Sequence, residues 1–404
     1  MLICRSQFET MTLNIHSSHS TQFWLSVLIL AFTISGFVSG LAPEELSLSF
    51  DESFVIGGTT NADADYFLAY PYYIRTDNRQ NIYIAEGEQK TIMVFGPQGN
   101  YLRSIGRSGK GPGEFPSGPI FHLNNENNIV AYDIVSQRVT WFSKKGNILS
   151  EYAPSRPDMV WSEKFFQTKG GNYIMLKKPR TIGEEATGNY RDYVFHRYSN
   201  SFENHLNSFG KFSRLVSKSD SKFVNMISSW KNDGNVVKTE KNSFWYVPGI
   251  YDGKVYEFEK SADGWKIVNR FEGHTNWEEA VVLNTDEEGS MLFVTYGKEG
   301  KQQQRSRGKI NSYSIGMVQM SNGNVLHFSG QRMQNQDSLK TMVEVFDPQG
   351  DLVGTGSFDE IAIHNNLGYF SSHHPAIWMD EKDRFYFIDH EDAPVVRVGK
   401  IEGI

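Results

Sequence analysis

Short apolar runs alternate with turns rich in glycine, asparagine and aspartate along most of this chain, and no stretch shows sustained helical spacing. Residues 76–106, TDNRQNIYIAEGEQKTIMVFGPQGNYLRSIG, read as a turn, an apolar strand, a polar turn, a second strand, a PQGN turn and a third strand. Residues 124–152, NNENNIVAYDIVSQRVTWFSKKGNILSEY, repeat that order element for element, with Asn128 in the place of Asn81. Fainter copies begin at Lys169, near Lys241, at Ser321 and at Glu381, and VEVFDPQG at 343–350 nearly repeats VFGPQG at 94–99. The runs are apolar at consecutive positions (Ile82, Tyr83, Ile84; Ile92, Met93, Val94, Phe95), so each strand is expected to be covered on both faces.

Sheets of four short antiparallel strands, covered on both faces and repeated along a chain, stack radially. The expected fold is all-β: a six-bladed β-propeller of four-stranded antiparallel blades, with no amphipathic helix. Outer strands fall near Phe54, Leu102, Leu149, Leu206, Val268 and Val353, which counts six blades. Residues 275–310 hold a hairpin-like stretch at 281–296 and the polar run KEGKQQQRSRGK, expected as an insertion with an exposed loop. A seventh blade is the alternative count. The last unit stops before its outer strand, whereas residues 50–58 resemble the outer strand at 101–106. The N-terminal strand is therefore expected to close the last blade and leave no free sheet edge.

Ahead of that strand, residues 23–41 (FWLSVLILAFTISGFVSGL) carry no charge, and an acidic stretch follows. The apolar centre is short for a bilayer span, and Val38 and Gly40 suit the −3 and −1 positions of signal-peptidase cleavage. Residues 1–40 are expected to be a signal peptide, with a retained anchor as the alternative, and 41–404 a single propeller domain. The single cysteine, Cys4, lies in the expected leader, so no lipobox, disulfide or thiol chemistry is expected in the mature chain. A periplasmic or secreted protein follows, with no membrane span after cleavage. Lys+Arg 40 against Asp+Glu 47 gives a net charge of −7, which excludes the basic excess that a phosphate backbone demands, so nucleic acid is not an expected partner.

The loop IGRSGKGPGEF at 105–115, following YLRSIG, resembles the blade connector of NHL-type six-bladed propellers, exported bacterial ones included. That resemblance implies a scaffold, whose relatives range from binding modules to lyases and lactonases. The glycines of the loop fail as a phosphate cradle, because Gly109-Lys110 is followed by Gly111-Pro112 and no helix comes next.

Glu86, Asp133 and Asp389 end equivalent strands, and accepting backbone N–H bonds from the next turn is their preferred role. The alternative is a calcium site of converging carboxylates near the channel. His373, His374, Asp389 and His390 form the densest His/acid cluster and are the candidate metal ligands, for calcium or zinc, faintly resembling the His-before-Pro entry of zinc-dependent propeller lyases. Matching histidines from other blades are missing, and His122, His274, His327 and His364 read as scattered. No Gly-x-Ser-x-Gly elbow supplies a nucleophile, so no catalytic residue is assigned. Trp161, Trp230, Trp277 and Trp378 read as blade starts near the channel. Of these Trp161, Trp230 and Trp378 are the candidate ligand-binding residues, able to stack on a sugar or a peptide aromatic. The favoured function is a monomeric binding module for a protein, peptide or carbohydrate; a metal-dependent lyase or lactonase is the alternative.

Overall fold

The computed structural model describes residues 42–404 apart from 59–65, 155–161, 178–192, 214–221, 240–241, 275–279, 286–289, 297–301, 333–338, 362–375 and 391–392. Six antiparallel sheets follow one another along the chain. Blade 1 contains Pro71–Thr76, Ile82–Glu86, Thr91–Phe95 and Tyr101–Ile105; blade 2, Ile120–Leu123, Ile129–Asp133, Arg138–Phe142 and Ile148–Tyr152. Blade 3 contains Ser162–Gln167, Tyr173–Lys177, Tyr193–Tyr198 and His205–Lys211; blade 4, Asn235–Lys238, Ser243–Val247, Lys254–Ser261 and Gly264–Glu272. Blade 5 contains Ser312–Gln319, Val325–Arg332, Leu339–Phe346 and Leu352–Ser357. Blade 6 takes Ile377–Met379, Phe385–Asp389 and Val395–Glu402 from the end of the chain, and Ser49–Gly57 from its beginning as the outer strand.

The first strands of neighbouring blades meet one another, which makes them the innermost, and the last strands form the rim. All six positions read as outer strands from the sequence lie on that rim. Each gap between blades is filled by one apolar cluster: Ile74, Ile84 and Phe95 of blade 1 pack on Tyr386 and Val398 of blade 6, and Phe195 and Phe209 of blade 3 on Phe244 and Phe258 of blade 4. This two-sided burial is why the second and third strands are apolar at consecutive positions.

The repeat signature has a local cause. Asp77 Oδ1 accepts the N–H groups of Arg79 and Asn81 at 2.9 Å, Asn124 Oδ1 those of Glu126 and Asn128, and Asp380 Oδ1 those of Lys382 and Arg384. Each is an Asx turn joining a first strand to a second. The fourth residue of these turns adopts positive φ, at Gln80 (64°), Asn127 (58°) and Asp383 (60°).

Two expectations need correction. Lys222–Asn232 is an α-helix, α1, where none is expected. Phe223 and Ile227 recur at its helical spacing, with Met226 and Trp230 partly buried beside them against the cluster between blades 5 and 6. The stripe is only two turns long, and polar Asn225, Ser228 and Ser229 interrupt it, so it escapes a search for strands. The polar run after residue 297 is likewise no simple loop: Gln302–Ile310 is a strand between Val281–Leu283 and Met291–Tyr296. Those three strands form a separate sheet between blades 4 and 5 in sequence, so the blades number six.

Candidate functional site

The innermost strands reach their turns in register. Thr76 pairs with Ile82, Leu123 with Ile129 and Met379 with Phe385, each the last pair before a closed turn. Arg75, His122 and Trp378 therefore stand at the same level on three consecutive blades. Trp378 leans towards blade 1, where its indole Nε1 donates to Thr76 Oγ1 at 2.8 Å. Arg75 Cζ lies 4.0 Å from the Tyr73 ring centroid and 4.5 Å from that of Trp378, within cation–π reach of both rings.

Among the described residues two of the five guanidinium N–H groups find acceptors: Nη1 donates to the Ile74 carbonyl at 2.6 Å and Nη2 to the Tyr73 hydroxyl. Among the described residues no carboxylate lies within ion-pair distance of Arg75. Burial pulls its pKa down, and the Tyr73 oxygen pulls the other way.

His122 leans towards blade 3, 6.3 Å from the Phe165 ring. Burial, then the charges of Lys238 and Arg75, hold its imidazole well below the usual histidine range, so it is neutral at pH 7. Lys238 ends the innermost strand of blade 4; the surrounding protein and then Lys169 lower its own pKa. Lys169 sits in the turn of blade 3 at the same end of the channel. Arg75, Lys238 and Lys169 thus bring positive charge to this mouth in a chain of net charge −7.

The carboxylates that end second strands are spent on structure. Asp133 accepts five bonds: Ser117 N and Oγ (2.8 Å each), Val135 N (3.0 Å), Ser136 N (2.7 Å) and Ser136 Oγ (2.9 Å). Glu86 is fully buried and accepts from Ala69 N, Tyr70 N and Gln89 N. Both tie the incoming connector to the hairpin turn, the backbone-capping role read from the sequence. Asp389 ends the equivalent strand of blade 6, and the His390 ring lies 6.0 Å from Tyr70. His373 and His374 fall outside the described residues, as do Trp161, Trp277 and His364. Among the described residues no group of three or more His, Cys, Asp or Glu side chains could hold a metal ion. Trp230 stands on α1 rather than at the start of a blade.

The Gly-rich connector is filled by its own carboxylate. Glu114 Oε2 accepts Gly111 N at 2.8 Å and Oε1 accepts Arg107 Nε at 2.8 Å, bonds that hold Glu114 below the usual carboxylate range. The Phe115 ring occupies the space a Cβ at Gly106 (φ 74°) would need, at 2.2 Å, which fixes glycine there.

One constellation escapes the sequence. In blade 5, Ser314 Oγ lies 3.1 Å from His327 Nε2, and His327 Nδ1 lies 2.9 Å from Glu344 Oε2. The geometry is that of a Ser-His-acid triad, carried on three adjacent strands. Its exposure is 2%, 0% and 1%, and Ser314 Oγ already accepts Asn235 Nδ2 at 2.9 Å, so a substrate carbonyl has no approach. Glu344 also accepts the Tyr251 hydroxyl at 2.6 Å and His274 N at 2.7 Å. The network joins blades 4 and 5 rather than forming an open site. His274, His327 and Glu344 are far apart in sequence, and only the pairing of His327 with Glu344 across two strands could reveal it.

Six four-stranded sheets around a channel, the last completed by the N-terminal strand, define a six-bladed β-propeller. The DUF5128 family model, described as a 6-bladed beta-propeller, matches residues 60–293, and the chain belongs to this family. No curated protein matches the sequence. Among solved structures, a member of the DUF4221 family from Bacteroides vulgatus is 9% identical, covers 90% of this chain and 100% of its own, and has a TM-score of 0.54. A candidate exported protein from Bacteroides fragilis NCTC 9343 is 12% identical, with coverage of 89% and 95% and a TM-score of 0.51. Virginiamycin B lyase from Staphylococcus aureus is 11% identical, with coverage of 88% and 99% and a TM-score of 0.44. Among the described residues no helix is long and apolar enough to cross a membrane.

Proposed function

We propose that this protein is an exported binding module, periplasmic or secreted and monomeric, that takes a peptide or glycan group at the mouth of its central channel. The observation that carries this reading is the Trp378–Arg75–His122 row, three functional side chains at one level on three consecutive innermost strands. Rigid strands hold them, and the indole is fixed by Thr76 rather than left to a loop. Export is supported by the uncharged run at 23–41, and the likeness in fold to a candidate exported protein agrees with it. A binding role is supported by the local use of Glu86, Asp133 and Glu344 in backbone and network bonds, which leaves the channel mouth as the place with donors to spare.

The test is a thermal-shift and calorimetric screen of the mature chain against neutral and acidic oligosaccharides and short peptides, repeated with Trp378→Ala. A ligand that stabilises the wild type and loses about tenfold in affinity in the variant supports the reading. Ligands unaffected by Trp378→Ala, or none at millimolar concentration, would overturn it.

A further inference from the structure

We infer that the channel mouth is an oxyanion site, taking a carboxylate or a phosphate ester of the ligand between Arg75 and Lys238. This rests on the reading above and adds the chemistry of the ligand. Among the described residues three guanidinium N–H groups of Arg75 have no protein acceptor, in a side chain held beside the Tyr73 and Trp378 rings. The two rings hold the guanidinium in place, and its remaining N–H groups match a planar or tetrahedral oxyanion through paired N–H bonds.

Cationic side chains gather around it. Arg75, Lys238 and, in the turn of blade 3, Lys169 are cations, and His122 is near enough to feel the charge of the first two. Acids in the turns at this end are engaged locally: Asp77 accepts Arg79 N, Asn81 N, Asn81 Nδ2 and the Tyr83 hydroxyl, Asp380 accepts Lys382 N, Arg384 N, Arg384 Nε and the Tyr386 hydroxyl, Glu126 accepts Asn128 Nδ2, and Asp383 accepts Ser321 N and Oγ. A cluster of like charge facing a channel is unfavourable until a counter-charge enters, and an anionic group relieves it. The neutral His122 imidazole adds a third partner, accepting a proton as the anion arrives.

Isothermal titration of the mature chain with trigalacturonate and with glucose 6-phosphate tests the inference, each against its neutral counterpart, methyl-esterified trigalacturonate and glucose. At least one anionic probe is expected to bind the wild type and to weaken about tenfold or more in Arg75→Met and severalfold in Lys238→Met. Arg75→Lys keeps the charge and loses the fork, so it should fall between; its melting temperature, measured beside, separates lost binding from lost folding. Which anion binds tells carboxylate from phosphate. Equal binding of anionic and neutral probes, or anion binding indifferent to Arg75→Met in a folded variant, would overturn the inference. A neutral probe lost in Trp378→Ala but not in Arg75→Met would leave the binding module standing and remove its anionic ligand. Binding of no probe at the mouth would remove both.

Discussion

Arg397 Nε lies 2.6 Å from Glu52 Oε2, joining the last strand of the chain to the N-terminal strand that completes the same blade. The second arm of the guanidinium reaches Glu360 Oε2 at 2.8 Å, and Arg397 Cζ lies 5.3 Å from the Phe50 ring centroid and 5.1 Å from that of Phe387. Main-chain pairing from Ser49 with Glu402 to Gly57 with Val395 does most of the closing, and the ion pair lies beside it. Glu44–Glu45 extends the seam by pairing in parallel with the rim strand of blade 5, where Gly354 and Gly356 leave room for Leu46.

Closure therefore predicts a graded response. Arg397→Ala should cost about 1 kcal/mol, because the pair is half-exposed and screened by water. Deleting residues 42–57 removes a whole strand, exposes Phe385 and Phe387 and opens the ring, so cooperative unfolding should be lost. Urea denaturation followed by circular dichroism reads both; a deletion that still unfolds cooperatively near the wild-type midpoint contradicts the closure.

Asp133 offers a sharper case, since one carboxylate satisfies three backbone N–H groups and two hydroxyls. Asp133→Ala leaves several donors unpaired in a buried turn and should cost about 3 kcal/mol, with Asp133→Asn costing about half of that by keeping one acceptor. If Asp133 were a metal ligand instead, chelation would lower the wild-type melting temperature as much as the alanine substitution does. The expected result is no chelator effect at this residue.

How far these features could be read from the sequence depends on range. Asx turns, apolar strands and rim strands are fixed within a few residues of one another, so Asp77, Asn124 and the outer positions Leu102 and Val353 announce themselves. The closing strand was legible because residues 50–58 share their local signature with 101–106. The short amphipathic stripe of α1 was hidden by its polar interruptions. The channel row was not legible beyond Trp378. Arg75 and His122 are single residues in separate repeats, and their common level appears only once the first strands are aligned on their turns. Ser314, His327 and Glu344 meet through strand pairing, which no spacing along the chain encodes.

The blade 5 network gives a third expectation. Glu344→Gln keeps the shape but faces one of three donors with its own amide, and should cost about 2 kcal/mol; Glu344→Ala should cost about 4. Burial and the neighbouring carboxylate push the Tyr251 phenol upward, keeping it a donor across the working pH range. A fluorophosphonate probe should leave Ser314 unlabelled at its 2% exposure. Stoichiometric labelling lost in Ser314→Ala would instead mark the trio as an accessible nucleophile.

His122 supplies the pH dependence. Burial, Lys238 and Arg75 depress its folded-state pKa, while in the unfolded chain it titrates near its ordinary value of 6.5. The unfolded state therefore binds this proton more readily. Its contribution to stability is complete above pH 6.5 and is lost as pH falls below that value towards the folded pKa, at up to about 1.4 kcal/mol per pH unit for one proton. Replacing it by His122→Gln removes the term, so wild type and variant should melt in parallel above pH 6.5 and diverge between pH 6.5 and 5, the wild type falling faster. The groups facing the imidazole are Arg75 from blade 1 and Lys238 from blade 4, with the Phe165 ring on the side of blade 3. An anion bound between the two cations reverses the sign of their effect, raises the pKa of His122 and draws in a proton. Affinity for the anionic probe should then increase as the pH is lowered from 7 to 5.5, in the wild type and not in His122→Gln. Parallel melting curves for the two proteins below pH 6.5 would rule out this titration, and with it the proton uptake on binding.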